Sequence, residues 1–241
     1  MKGFIHAHSR YSHDSLNPID LIINKAIEHQ LDFIILTDHE NIRGSLELRK
    51  RVKERNLNLI VPIAAEYKTE YGDIIAAFIK NEIVDMSFDN FVNEVKSQGG
   101  LLMLPHPYQS HPIDKLEYIS SKMDSIEIFN SRCTKEQDLK AEVLAHNAEK
   151  PYYYGSDAHL NGELCNVIIS LEVKDYNEAS LKEALQKSEV TLIEKDKVYL
   201  RSIRISQLIK SFKRRRFSIF YSNIIGLIIN NIRLGWNKKI E

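Results

Sequence analysis

The chain has 241 residues, 43% of them hydrophobic and 27% charged, enough for one sizeable core plus an appendage and unlike a wholly disordered or fibrous chain. Lys plus Arg and Asp plus Glu are equal at 33 each, but residues 201–241 hold ten basic residues and one acid, so a basic tail of about +9 offsets an acidic body of about −9. Cys133 and Cys165 are too few for a disulfide framework and form no CxxC pair, which points to a reducing, cytoplasmic setting.

The opening MKGFIHAHSRYSHDS has no apolar run of signal-peptide length. Its strand pattern, GFIHAH, ends in His6 and His8, whose imidazoles point to one side while Ala7 points to the other. The helical pattern PIDLIINKAIEHQ follows, opened at Asn17-Pro18. DFIILTDH ends in Asp38 and His39 and leads into the helix SLELRKRVKERN. NLIVPIAAE brings Glu66 to the end of an apolar run, where an uncompensated carboxylate costs several kcal/mol. GDIIAAF carries Asp73, SFDNFVNEVKSQG is helical, and GLLMLPHP ends at His106. A helix start is marked at Asp114. SIEIFNS ends at Asn130, and Thr134 with Gln137 forms a capping box that opens KEQDLKAEVLAHNAE. PYYYGSDAH supplies Asp157 and His159 across an alanine. CNVIISLEV and NEASLKEALQKS, capped at Asn177, complete the body.

Short apolar runs alternating with amphipathic helices predict βα units around a mainly parallel sheet, either closed as a barrel or open and doubly wound. In a parallel barrel the carboxyl ends of all strands share one face, so these His, Asp and Glu residues are expected to converge. Imidazole and oxygen donors without thiolate suit Zn²⁺, Mn²⁺ or Fe. Blander roles exist for single residues. Asp38 can cap a helix or hold an imidazole, and Asn130 can ligate, orient a ligand or cap. Arg10 and Arg132 are candidate substrate-phosphate clamps or solvated loop arginines. His111 is expected on a surface loop, with proton donation to a leaving group as its alternative.

In order, HAHSRYSHDS, LTDHE, AAE, LPHP, EIFNSR and GSDAH resemble the motifs of the polymerase and histidinol phosphatase (PHP) family over about residues 1 to 175. The resemblance implies a distorted seven-stranded β/α (TIM-like) barrel over residues 1–198 whose cleft carries two or three divalent metal ions and hydrolyses phosphoesters. Carried over, His6, His8, Glu66 and Asp157 hold one metal. Glu66 bridges to a second completed by His106 and Asp73, and Asp14, His39 and His159 hold a third. Glu66, Asp157 and His159 are the expected catalytic residues. Family members often carry His where this chain has Asp73, which implies a weaker or different second site. Asp14 is favoured over the adjacent His13 as ligand.

The expected substrate is a phosphorylated small molecule, nucleotide or phosphopeptide. An amidohydrolase-type C–N hydrolase and a non-catalytic metal-binding module are the alternatives; the first usually bridges its metals with a lysine, where this chain has Glu66. Residues 199–241 form a basic helical extension with an apolar stripe of Ile203, Ile205, Leu208, Ile209 and Phe212, the run Lys213 to Arg216, a charge-free stretch from Phe217 to Ile232, and Trp236. It is expected to pack on the acidic body, to lie peripherally on an anionic membrane surface, or to contact nucleic acid.

Overall fold

A computed structural model describes residues 1–187, 190–234 and 238–240. In chain order it runs β1 (Lys2–Ile5), α1 (Ile19–Glu28), β2 (Phe33–Ile35), α2 (Arg43–Glu54), β3 (Ala64–Thr69), β4 (Gly72–Ala77), α3 (Phe88–Ser97), β5 (Leu101–Leu104), α4 (Pro107–Ser110) and α5 (Leu116–Lys122). There follow β6 (Ser125–Asn130), α6 (Lys135–Asn147), β7 (Tyr152–Gly155), β8 (Val167–Leu171), α7 (Glu178–Leu185), β9 (Val190–Lys195), α8 (Leu200–Lys213) and α9 (Phe217–Leu234). The eight predicted strands are all present. The edge strand β9 and the short helix α4 lack a strong enough apolar period to be anticipated, whereas α5 follows directly on the helix start marked at Asp114.

The strands form two sheets, ordered β2-β1-β8-β9 and β3-β4-β5-β6-β7. The expected mainly parallel sheet is not what forms. β1–β2, β5–β6 and β6–β7 are parallel, whereas β1–β8, β8–β9, β3–β4 and β4–β5 are antiparallel. The reason at β3–β4 is local. Only Glu70 and Tyr71 separate the strands, too few for a crossover helix, and Gly72 turns the chain at φ +117°. The named strands do not close into one barrel; isolated bridges Ala7–Ala158 and His39–Glu66 join the two sheets instead.

Alternation on each strand divides the core. On β1, Phe4 packs outward against Ile19, Ile22 and Ile23 of α1, while Ile5 points inward to Phe33, Ile75, Met103 and Tyr153. Fully burying a side chain such as Phe4 contributes about 1.5–3 kcal/mol. The helices α3 and α6 cover the other sheet through residues such as Phe88, Phe91 and Ala145. Thr134 and Gln137 form the expected capping box on α6, and Asn177 caps α7.

The helix α8 packs on the body, but the apolar stripe read from its sequence is only half-buried there. Its buried residues are Ser202, Ser206 and Ser211, whereas Ile203, Ile205, Leu208 and Ile209 are half-buried and Phe212 is exposed. Small serines allow close approach, and cations do the rest. Lys213 Nζ donates to the carbonyls of Arg10, Ser12 and Ser15 at 2.9, 2.7 and 2.7 Å. Arg214 lies 3.7 Å from Glu40 and Lys239 2.6 Å from Asp196. Trp236 and the side chain of Ile232 lie outside the described residues. No described helix is long and apolar enough to cross a membrane.

Candidate metal centre

Three of the converging residues occupy left-handed backbone. His6 (φ 67°), His106 (φ 29°) and Asp157 (φ 48°) each stand just after a strand, β1, β5 or β7. Such conformations cost about 1–3 kcal/mol for a non-glycine residue and persist where surrounding structure imposes them. Here they turn the side chains inward. His8 N–H donates to Ala158 O at 2.8 Å, pinning the segment after β1 to the one after β7.

Ligand-capable atoms gather in three overlapping groups: His6, His8 and Asp157; His6, Glu66 and His106; and His8, Asp14, His39 and His159, each with its atoms within 4.8 Å of one another. Glu66 is central. Its Oε2 lies 3.5 Å from both His6 Nε2 and His8 Nε2 and 3.3 Å from His39 Nδ1, while its Oε1 lies 3.1 Å from His106 Nε2. Asp157 Oδ1 is 3.5 Å from His6 Nε2 and 3.3 Å from His8 Nε2. Asp14 Oδ2 is 3.1 Å from His39 Nε2 and 3.4 Å from His159 Nε2.

These residues fit divalent cations. His6 Nε2, both ring nitrogens of His8 and Glu66 Oε2 are buried without a hydrogen-bond partner. Unpartnered buried polar atoms are costly, and several aimed at common points require something positive between them. His106 and Asp14 complete groups of imidazole and carboxylate donors with no sulfur, the set that suits Zn²⁺, Mn²⁺ or Fe.

The electrostatics carry the same signature. Burial pushes Glu66 up, but His39, His6 and the His106 hydrogen bond outweigh it and hold the carboxyl well below the usual range. Asp157 is likewise depressed against burial, by His6, His8 and His159, and Asp14 by His159 and His39. Burial pulls His39 and His106 down, yet Glu66 beside both, with Asp14 beside His39, pushes each up to about 9. His8 is pulled down to about 3 by burial and then by His159, so it is neutral. Protons on imidazoles thus balance the carboxylates, a role that bound cations take over.

A supporting layer holds the groups in place, and sequence reasoning missed most of it. Glu127 Oε1 accepts from His6 Nδ1 at 2.8 Å, and its Oε2 accepts from His106 N at 2.7 Å and Asn130 Nδ2 at 2.8 Å. Asn130 also reaches Asp157 at 3.2 Å, so it orients neighbours and does not cap α6. The available signal was an acid inside the apolar strand SIEIFN. Asp38 neither caps nor holds an imidazole: it accepts from Ser9 N and Oγ, both at 2.6 Å. Gly44 leaves it room, since a Cβ there would stand 1.7 Å from Asp38 Oδ2.

Four expectations are placed differently or sharpened. Asp73 joins none of the three groups; it follows Gly72 at the start of β4, paired with Lys68 in the antiparallel hairpin, with its carboxyl still close enough to feel Glu66, His106 and His39. Arg132 is buried and donates to both carboxylate oxygens of Glu163 at 3.1 and 2.8 Å and to Ser206 Oγ at 2.9 Å. That engagement ties the body to α8 and replaces the expected phosphate clamp. His111 is buried, not on the surface, with Nε2 2.8 Å from Asp73 O and its ring over Gly72. Asp14 is the member of the third group, while His13 stacks on His39 at 4.6 Å.

Beside His13 and His39 opens a cleft of about 520 Å³ lined by Arg10, Arg43, Lys213 and Arg214, with Glu40 as its single acid. Arg10 therefore stands where an anion would enter. Larger cavities, of about 820 and 590 Å³, lie along α6 and include none of the clustered residues.

An uncharacterised protein of Methanocaldococcus jannaschii is 31% identical over 145 residues, covering 54% of this chain and 82% of that protein. Among solved structures, a two-domain protein from Bacteroides vulgatus containing a predicted PHP-like metal-dependent phosphoesterase aligns with TM-score 0.67 and 19% identity over 81% of this chain, which spans 65% of that protein. A lesion-specific endonuclease from Pyrococcus furiosus aligns with TM-score 0.56 and 16% identity, over 79% of this chain and 57% of its own. Those two likenesses are likenesses of fold. The PHP domain model itself matches residues 5–216, most of the chain and the whole of the clustered site, and the chain belongs to the PHP family.

Proposed function

We propose that this chain hydrolyses phosphate esters of a small metabolite or nucleotide, with two or three divalent ions of Zn, Mn or Fe as cofactors. The observation that carries the reading is the convergence of buried, unpartnered imidazole nitrogens and Glu66 Oε2 beside a cation-lined cleft. His6, His8, Asp157 and Glu66 Oε2 would hold one ion, Glu66 Oε1 and His106 a second, and Asp14, His39 and His159 a third. Such ions lower the pKa of bound water towards neutrality and neutralise charge on phosphoryl oxygens.

The chain's own part is placement. Glu66 offers its two oxygens to different neighbours and so fixes their spacing. Glu127 keeps the proton of His6 on Nδ1 and leaves Nε2 facing the cluster. Asp157 and His159 flank the same space, and Arg10 draws a phosphate into the cleft. A thiolate nucleophile is disfavoured: burial pushes Cys165 up to about 12 and Cys133 further still.

The same reading takes β1 to β7 as a distorted seven-stranded ring. It is supported by the two seams, where Ala7 bridges to Ala158 and His39 to Glu66. A carboxylate at position 66, in place of a bridging lysine, favours phosphoester over C–N hydrolysis. Elemental analysis should find more than one equivalent of Zn, Mn or Fe, and Glu66→Gln should fold yet lose hydrolysis of an aryl phosphate. A folded chain that takes up no divalent ion, or unchanged turnover in the variant, would overturn the proposal.

A further inference from the structure

The α8–α9 pair leaves one apolar stripe of α9 exposed. The helix α9 meets α8 through Asn223, whose Nδ2 donates to Gln207 O at 3.5 Å, through Gly226, where an added Cβ would stand 2.9 Å from Arg204 Nη1, and through Phe220, whose ring lies 5.8 Å from that of Phe212. The opposite side of α9 carries Phe217, Tyr221, Ile225 and Ile228, spaced four, four and three residues apart and therefore on one helical stripe. Their exposures are 54, 65, 58 and 55%. Phe212 at the end of α8 is 61% exposed and lies against Phe220, whose ring in turn meets Tyr221 of the stripe. Contiguous apolar surface of this kind on a soluble body marks a contact site.

What surrounds the stripe identifies its partner. Arg215 and Arg216 are exposed at the turn leading into α9, and the sequence from residue 200 to residue 240 contains no Asp or Glu. A second copy docked stripe to stripe would bring two cationic rims together. Nucleic acid would match the charge but not the aliphatic Ile225 and Ile228. A bilayer with acidic headgroups matches both, taking the apolar stripe at the acyl boundary and the arginines at the phosphates. We propose that α9 lies in the plane of an anionic membrane surface, with Phe217, Tyr221, Ile225 and Ile228 inserted and Arg215 and Arg216 on lipid phosphates. At 18 residues the helix has about 27 Å to lie along that surface.

The test uses the full chain and sedimentation with vesicles of phosphatidylglycerol mixed with phosphatidylcholine, against phosphatidylcholine alone. Binding should require the acidic lipid and weaken with added salt. Ile225→Asp combined with Ile228→Asp should abolish it, and these positions are exposed enough for the fold to survive, which circular dichroism checks. Arg215→Glu combined with Arg216→Glu should lower it by roughly thirtyfold or more. Absence of binding to acidic vesicles would overturn the proposal, as would binding indifferent to the aspartate pair. So would a dimer in analytical ultracentrifugation that the aspartate pair dissolves while vesicles go unbound. None of these readouts involves hydrolysis, so failure here leaves the phosphoesterase reading standing.

Discussion

Glu127 and His6 are joined by a 2.8 Å contact between Oε1 and Nδ1, with both side chains buried. The contact decides which nitrogen of His6 is free, because a proton held on Nδ1 leaves the Nε2 lone pair for the cluster. Gly155 protects the arrangement, since a Cβ there would stand 1.6 Å from Glu127 Oε1.

Glu127→Gln should therefore keep the fold and weaken metal affinity by about 10–100-fold, the usual effect of removing a carboxylate behind a metal-binding histidine. Titration with a competing chelator measures it. Affinity equal to that of the unaltered chain would show that Glu127 has no part in aiming His6.

Metal uptake should be coupled to protons. His39 and His106, raised to about 9 by Glu66 against the pull of burial, carry protons at pH 7 in the metal-free chain and must lose them to coordinate. Uptake at pH 7 should release protons, and affinity should climb with pH until about 9. The metal-free fold should show the linked trend. Its ion pairs to these imidazoles stabilise fully below the unfolded value of about 6.5 and are lost as pH rises through about 9. Calorimetry in buffers of different ionisation enthalpy checks the first point, and denaturant titrations at several pH values check the second.

Arg132 and Arg10 should separate cleanly. Arg132→Leu leaves Glu163 buried without its bidentate partner and should cost about 3–5 kcal/mol of stability, read from the shift of the unfolding midpoint. Arg10→Ala removes an exposed side chain at the cleft; it should leave stability within about 0.5 kcal/mol and raise KM for a phosphate ester. A stable Arg132 variant with raised KM would return that arginine to the substrate.

Most of the cluster was legible because it lies where strand patterns end. His6, His8, Glu66, His106 and Asp157 each follow an apolar run, and a buried ionisable group at such a place demands a partner. Glu127 was not legible, because it sits inside a strand and its burial depends on Gly155 making room on the neighbouring strand. Arg132 was misread for a related reason: nothing local reveals that Glu163 and Ser206, 31 and 74 residues away, will surround it. The antiparallel hairpin of β3 and β4 was visible only as a two-residue gap, and the apolar runs on either side read equally well as parallel strands. In α8 the stripe is present but only half-buried, and periodicity does not reveal that Ser202, Ser206 and Ser211 are the residues the surrounding chain will cover.

Lys213 reaches back roughly two hundred positions to grip the carbonyls of Arg10, Ser12 and Ser15 around Asp14. During synthesis the first of these residues leave the ribosome long before the lysine does. The loop that presents Asp14 has its own ties by then, since Ser12 Oγ donates to Asp14 Oδ1 at 2.7 Å and Arg10 N to Asn17 O at 2.8 Å. The lysine is therefore the last fastening that this corner of the centre can acquire, supplied from the far end of the chain.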